Sequence, residues 1–288
     1  TAGVDWDGCE SLLGRALGAG LIPAVNMDTG YVQLLTEADR TRVLTVAVSL
    51  AGAGGFAAGA FVADGEGDAY DHDAYARAMA EVSEAGGTPV LFPSWGLAAL
   101  DEAEWVAAQE RLGSGVDRFI AFELGDMFVP YGRIYSLDAY RGLMGIPSCI
   151  GAKHSSLSRQ AEWARLALRN EVRSDFSVFT GNDLAIDMVR YGSDYLLGLS
   201  AFAPDAFAER DRRWAAEESS FDELNDLLQY LGFFAFRPPV PGYRHDAAMF
   251  LKLRGWIDSD ATPVGAPQRP DADREVLADI AGRLTDVL

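Results

Sequence analysis

Lysine is scarce in this chain. There are 24 Lys plus Arg against 43 Asp plus Glu, very few of the cations are lysines, and the net charge is −19. An acid excess of that size favours solubility and argues against nucleic acid or an anionic membrane as partner. It does not exclude an anionic small molecule, because a pocket sets its own local field. Cysteine is scarcer still: Cys9 and Cys149, far apart, fit a reduced cytoplasmic protein rather than a disulfide scaffold. No apolar run approaches the ~18 residues of a membrane span, and the acidic start lacks a signal-peptide pattern. The histidines, His72, His154 and His245, are scattered, with neither HxH nor HExxH spacing. The acidic loop 64–73 does not follow a calcium-loop pattern, and there is no GxSxG elbow. Neither a metal nor a cofactor is expected.

What is present is length and regularity. The chain has 288 residues, 49% of them hydrophobic, enough for a large core. Helical patterns over 5–18, 36–50, 73–85, 101–112, 137–144, 158–171, 184–191 and 204–217 alternate with apolar strand-like runs. Those runs cover 21–26, 55–62, 88–92, 117–124, 148–153, 176–180 and 195–200. Asp5 stands as a cap for the first helix, and Thr36 with Asp39 has capping-box spacing. Short connections between alternating strands and helices signal a parallel α/β architecture, and near-continuous apolar strands fit a sheet buried on both faces. Beyond residue 218 the pattern is purely helical (220–235, 243–257, 271–287), broken by RPPVPG and ATPVGAPQRP. Seven strands is one short of a (β/α)8 barrel. The doubly wound alternative requires a phosphate loop after its first strand. AGAGGFAAGA, the nearest candidate, lies before or within a strand and reads as small-residue packing. The expected fold is therefore a TIM barrel over 1–217 with a C-terminal helical appendage over 218–288. Its first strand would precede Thr1.

In such barrels function sits at the C-terminal ends of strands. There the chain places Asn26-Met27-Asp28-Thr29-Gly30, Pro93-Ser94-Trp95, Glu123, Lys153-His154-Ser155-Ser156, Thr180-Gly181-Asn182-Asp183 and Leu199-Ser200. Lys153 is either a strand-end lysine with its ammonium in solvent or an amine held in an apolar pocket, ready to attack a carbonyl. Glu123 is either a proton carrier or a structural ion-pair partner. Thr29 and the Gly30 amide are placed to bind a carboxylate or simply to make a turn. Arg133 is either an anion partner or a solvated loop residue. His154 reads as a structural neighbour of the lysine.

Several segments, in order, resemble the dihydrodipicolinate synthase / N-acetylneuraminate lyase family of Schiff-base aldolases. NMDTGYVQLLTEADRTRVL resembles that family's GTTGE…LT-x-EER segment, and CIGAKHSS its lysine-bearing IIGIKEAT. TGND with GSDYLLGLSAFAP, RPPVPGYRHDAAMFLKLRG and TPVGAPQRPDADREVLADIAGRL resemble its later motifs. The resemblance spans about residues 5–285. It implies a barrel assembled as a homodimer or homotetramer. It also implies Lys153 as the amine condensing with pyruvate or a 2-keto sugar acid, in an aldolase, lyase or dehydratase reaction. Thr29 and Gly30 would hold the substrate carboxylate, with Asp28, Arg133, Gly181, Asn182 and Leu197 lining the site. Three departures stand out. Asp28 and Tyr31 replace the first threonine and the glutamate of GTTGE. Phe122-Glu123-Leu124-Gly125 replaces the segment carrying the proton-shuttling tyrosine. Proton transfer then falls to Glu123, rigidly placed on its strand, or to Tyr131 or Tyr135 from the following loop. Dihydrodipicolinate synthesis itself is not expected. The competing reading is a barrel that binds its ligand and has lost catalysis.

Overall fold

The computed structural model describes residues 3–52 and 55–288. The strand expected before Thr1 lies outside the described residues, as do Ala53 and Gly54 of the glycine-rich stretch. In chain order the elements are α1 (Trp6–Gly18), β1 (Ala24–Val25), α2 (Glu37–Ala51), β2 (Ala57–Ala60), α3 (His72–Glu84), β3 (Thr88–Leu91), α4 (Trp95–Ala99), α5 (Glu102–Gly113) and β4 (Phe119–Leu124). There follow α6 (Leu137–Met144), β5 (Cys149–Ser155), α7 (Arg159–Val172), β6 (Ser177–Thr180), β7 (Asp194–Tyr195), α8 (Pro204–Ala215), α9 (Phe221–Ala235), α10 (Tyr243–Leu253) and α11 (Asp273–Val287).

The chain forms two compact units. One comprises Ile22–Asn182 and Met188–Leu196; the other comprises Thr1–Leu21, Asp183–Asp187 and Leu197–Leu288. The first contains the whole sheet, seven parallel strands in the order β1 to β7. This is the α/β barrel architecture expected, with seven of its strands. Helix starts are set by the caps the sequence advertises. Thr36 and Asp39 close both halves of a capping box on α2, and Asp101 with Glu104 does the same for α5. Asp71 and Ser158 cap α3 and α7. Between the sheet and α3, α5, α6 and α7 lies one core cluster that includes Tyr75, Trp105, Phe119, Ala121, Tyr140, Cys149, Ala152 and Phe176. Burial there pushes the Cys149 thiol up to about 12, which makes it a packing residue rather than a nucleophile. Both cysteines are free.

Three local expectations are corrected. The helix over 184–191 is a 3-10 segment, Ile186–Tyr191, and the last strand is only Asp194–Tyr195. Leu199–Ala201 turns instead, because Asp183 accepts the Leu199 amide at 2.7 Å. The short helix α4 was not anticipated. It starts where Asp64 reaches across 31 positions to accept the Trp95 and Gly96 amides, at 2.9 and 2.8 Å.

The second unit is helical. Helices α1 and α8, which the sequence reading gave to the barrel, pack with each other here, and α8 also packs on α9. Its interior holds Phe202, Phe236, Phe250 and Tyr243 ring on ring. Arg269 ties the proline-rich turn together by donating to the carbonyls of Ala235, Arg237, Pro238 and Pro239 and to the Asp246 carboxylate. Among the described residues no helix is long and apolar enough to cross a membrane.

Candidate active site

Strand β5 decides which side chains meet. Cys149 pairs with Phe119 of β4 and Gly151 with Ile120, so Ile150 is one extra residue on β5, a bulge. Before it, Cys149 faces the helices as part of the outer core. After it the alternation is shifted by one. Ala152 and His154 now face the helices, while Gly151, Lys153 and Ser155 face the barrel interior. Lys153 stands opposite Phe122 of β4 and Phe179 of β6; His154 stands opposite Glu123 and Thr180.

On the inner face the Lys153 ammonium lies 4.3 Å from the centre of the Phe122 ring and 3.5 Å from Asp28 Oδ1. Both side chains of the pair are only 6% exposed. Phe122 continues a row of rings: Phe92 is 5.4 Å from it, and Phe61 is 5.6 Å from Phe92. Gly181 closes the other side, where an added Cβ would stand 3.0 Å from Lys153 Cε and 2.0 Å from Ser155 Oγ. The amine is thus walled by apolar surface and one carboxylate. That carboxylate is held by a single 3-10 turn, Asp28–Gly30, bracketed by Asn26 and Tyr31 at φ of 52° and 55°. Left-handed backbone at non-glycine residues is costly and concentrates at functional sites. Tyr131, whose ring packs 5.2 Å from Trp95, has its hydroxyl raised to about 12, first by burial, then by the carboxylates of Asp64 and Asp28. It therefore keeps its proton and feels the charge of Asp28.

The outer face carries a different assembly. Arg165 of α7 grips Glu123 in bidentate fashion, Nε to Oε2 and Nη2 to Oε1, both at 2.7 Å. His154 Nδ1 is 2.9 Å from Oε2, and the Tyr135 amide donates to Oε1 at 2.9 Å. His154 Nε2 meets Ser156 Oγ at 2.7 Å. Burial alone would raise the Glu123 carboxyl, but the hydrogen bonds from Arg165 and His154 bring it down to about 2. This corrects the expectation for Glu123: it stays ionised, fully bonded, on the opposite face of the sheet from Lys153. Tyr135 goes with it, stacked on Trp105 at 3.8 Å in the outer core. His154 thus lies between Glu123 and Ser156 on this face.

Two more expectations change. Arg133 donates to the carbonyls of Ala98 and Leu100 at 3.2 and 2.7 Å, pairs with Glu102 at 3.8 Å and covers the Tyr135 ring at 4.8 Å. It builds the loop instead of reaching the lysine. The Gly30 amide donates to the Met27 carbonyl at 3.1 Å, so the turn uses it internally. Thr29 remains next to Asp28 on that turn. Asn182 is fully buried after Gly181, its amide bonded to Thr180 Oγ1 at 3.1 Å. Leu197 is buried in the other unit. Sequence reasoning missed Phe122 and Arg165. Arg165 carried a signal: Glu162, Arg165 and Leu166 fall on one helical face, and all three are buried.

No family model and no curated protein sequence matches the chain. Solved structures do match. Dihydrodipicolinate synthase from Thermotoga maritima superposes with a TM-score of 0.80 at 16% identity, covering 99% of this chain and 94% of that one. The chloride-inhibited, pyruvate-complexed dihydrodipicolinate synthase of Acinetobacter baumannii gives 0.79 at 19%, with 99% and 94% covered. A catalytic-lysine mutant of the Ruminococcus gnavus sialic acid aldolase gives 0.76 at 14%, with 99% and 91% covered. The fold of this chain is theirs. At these identities the likeness is one of architecture, and the chemistry has to be argued from the residues.

Proposed function

We propose that the protein is a Schiff-base-forming lyase or aldolase, with Lys153 as the amine. The observation that carries the reading is a lysine at the C-terminal end of a central barrel strand, buried against a phenyl ring with one carboxylate in contact. The free base attacks the carbonyl carbon, water leaves, and the resulting iminium withdraws electrons from the neighbouring carbon. A C–C bond there is then made or broken, or water is eliminated. Tyr131 is the proton donor in this reading, supported by its burial and its electrostatic contact with Asp28. Kinship in fold with a sialic acid aldolase that has a catalytic lysine adds to it.

The test is borohydride trapping. Lys153 and Lys252 are the chain's two lysines, and Lys252 is exposed and paired with Asp260 at 3.0 Å. With a panel of small aldehydes and ketones, one covalent addition at Lys153 is expected, absent in Lys153→Met. No addition with any carbonyl overturns the proposal. The second reading, a barrel that binds its ligand without turnover, is favoured by the same Lys153–Asp28 contact, which holds the lysine in an ion pair at 3.5 Å. It predicts saturable binding with no trapped adduct.

A further inference from the structure

Resting on the Schiff-base reading, we infer that Asp28 sets the substrate class: a neutral carbonyl compound with a hydroxyl beside the carbonyl, a ketol, in place of a 2-oxo acid. A 2-oxo acid that condenses with Lys153 carries its carboxylate on the carbon bonded to the iminium. That places a second anion within a few ångströms of the Asp28 carboxylate, which itself lies 3.5 Å from the amine in a site 6% exposed. Two carboxylates so close and so poorly solvated repel strongly. Three groups that could offset the repulsion are used elsewhere. The Gly30 amide is bonded to Met27, and Arg133 is bonded to Ala98, Leu100 and Glu102. Arg40 sits over Phe61 at 5.3 Å, two rings along the row from Phe122, with Nη1 bonded to the Leu35 carbonyl at 2.7 Å.

A ketol reverses this electrostatic balance. Its hydroxyl donates to Asp28, and its apolar carbons lie against Phe122 and Phe92. As the amine adds, two of the ammonium's protons leave with the carbonyl oxygen as water, and the iminium restores the positive charge beside Asp28, so the pair is neutral before and after the step. The same carboxylate that disfavours an acid thus stabilises the intermediate of a neutral substrate.

The experiment traps the wild-type protein with borohydride in the presence of hydroxyacetone or pyruvate, and reads adduct at Lys153 relative to adduct at the exposed Lys252. Because the two carbonyls are compared as a ratio at each lysine, differences in amine basicity cancel. Like-charge juxtaposition of this kind costs several kcal/mol, so a Lys153 preference for hydroxyacetone of at least ~100-fold over the ratio at Lys252 is expected. Asp28→Asn, close in shape, and Asp28→Thr, should each shift that preference toward pyruvate by at least ~10-fold. Equal or better trapping of pyruvate by the wild type overturns the substrate-class inference and leaves the Schiff-base reading standing. An unchanged ratio in folded Asp28→Asn overturns the role of Asp28. No adduct at Lys153 with either carbonyl, in any of the three proteins, overturns the Schiff-base reading and this inference with it.

Discussion

Lys153 and His154 are adjacent, both buried, and both in contact with a carboxylate, yet the two faces of β5 treat their charges in opposite ways. On the outer face Glu123 receives four hydrogen bonds, two from Arg165, one from His154 and one from the Tyr135 amide. On the inner face Lys153 and Asp28 meet in a contact of 3.5 Å, longer than a well-formed charged hydrogen bond. A fully bonded ion pair is rigid and chemically inert. The inner pair is longer and walled by rings. Under the Schiff-base proposal the inner face is the reacting side, and the outer network is its scaffold.

The largest effect expected is on the scaffold side. Arg165→Met leaves Glu123 buried without its main partner and should lower the unfolding free energy by about 3–5 kcal/mol in urea titrations. A loss below about 1 kcal/mol would show that the outer network is no firmer than the inner pair. Next comes Glu123→Gln, which keeps an acceptor and loses the charge; about 1–3 kcal/mol is expected. Borohydride labelling at Lys153 should proceed at the wild-type rate, and slower labelling would mean that the two faces are chemically coupled.

The smallest effect is a pH slope, and it comes from a third carboxylate. Asp246 of α10, in the helical unit, also faces two arginines, Arg237 at 3.2 Å and Arg269 at 3.1 Å. Here burial prevails over the arginines, Asp273 adds its negative charge, and the carboxyl rises to about 7. The signs are opposite. Glu123, lowered from 4.5 to about 2, gives stability that is present above 4.5 and lost as pH falls toward 2. Asp246, raised from 3.8, gives stability that is present below 3.8 and lost as pH rises toward about 7. Asp246→Asn should therefore flatten the decline of the urea midpoint between those two values and leave the acid limb unchanged. A slope that persists in the variant removes Asp246 as its source.

Much of the barrel was legible because its signals are local. The caps at Asp5, Thr36, Asp101 and Ser158 mark helix starts, and α6 begins and ends at the expected residues. The lysine was legible as a chemical type at a strand end. What it meets was not. FIAFEL is buried at every position, so its pattern carries no period-2 signal to say whether Phe122 or Glu123 faces inward. The choice depends on pairing with β5, a contact across 31 positions of sequence. Arg133 and Tyr135 were misjudged for a related reason: Tyr135 stacks on Trp105 in the outer core, and Arg133, still partly exposed, is held by Glu102 and the Ala98 carbonyl. The Asp28 substitution was visible as a departure, but its meaning required the distance to Lys153.

Ile150 makes the arrangement a question of phase. The residue contributes no group to either site; it is the one count that the bulge absorbs ahead of Lys153. Paired in the ladder instead, it would set Lys153 opposite Glu123, where the histidine now stands, and turn the imidazole into the barrel. One chain segment therefore encodes two candidate chemistries, an amine interior and an imidazole interior, separated by whether one residue is bulged or paired. Point substitutions at Lys153 or Asp28 adjust the site, but loss of the bulge exchanges it for another.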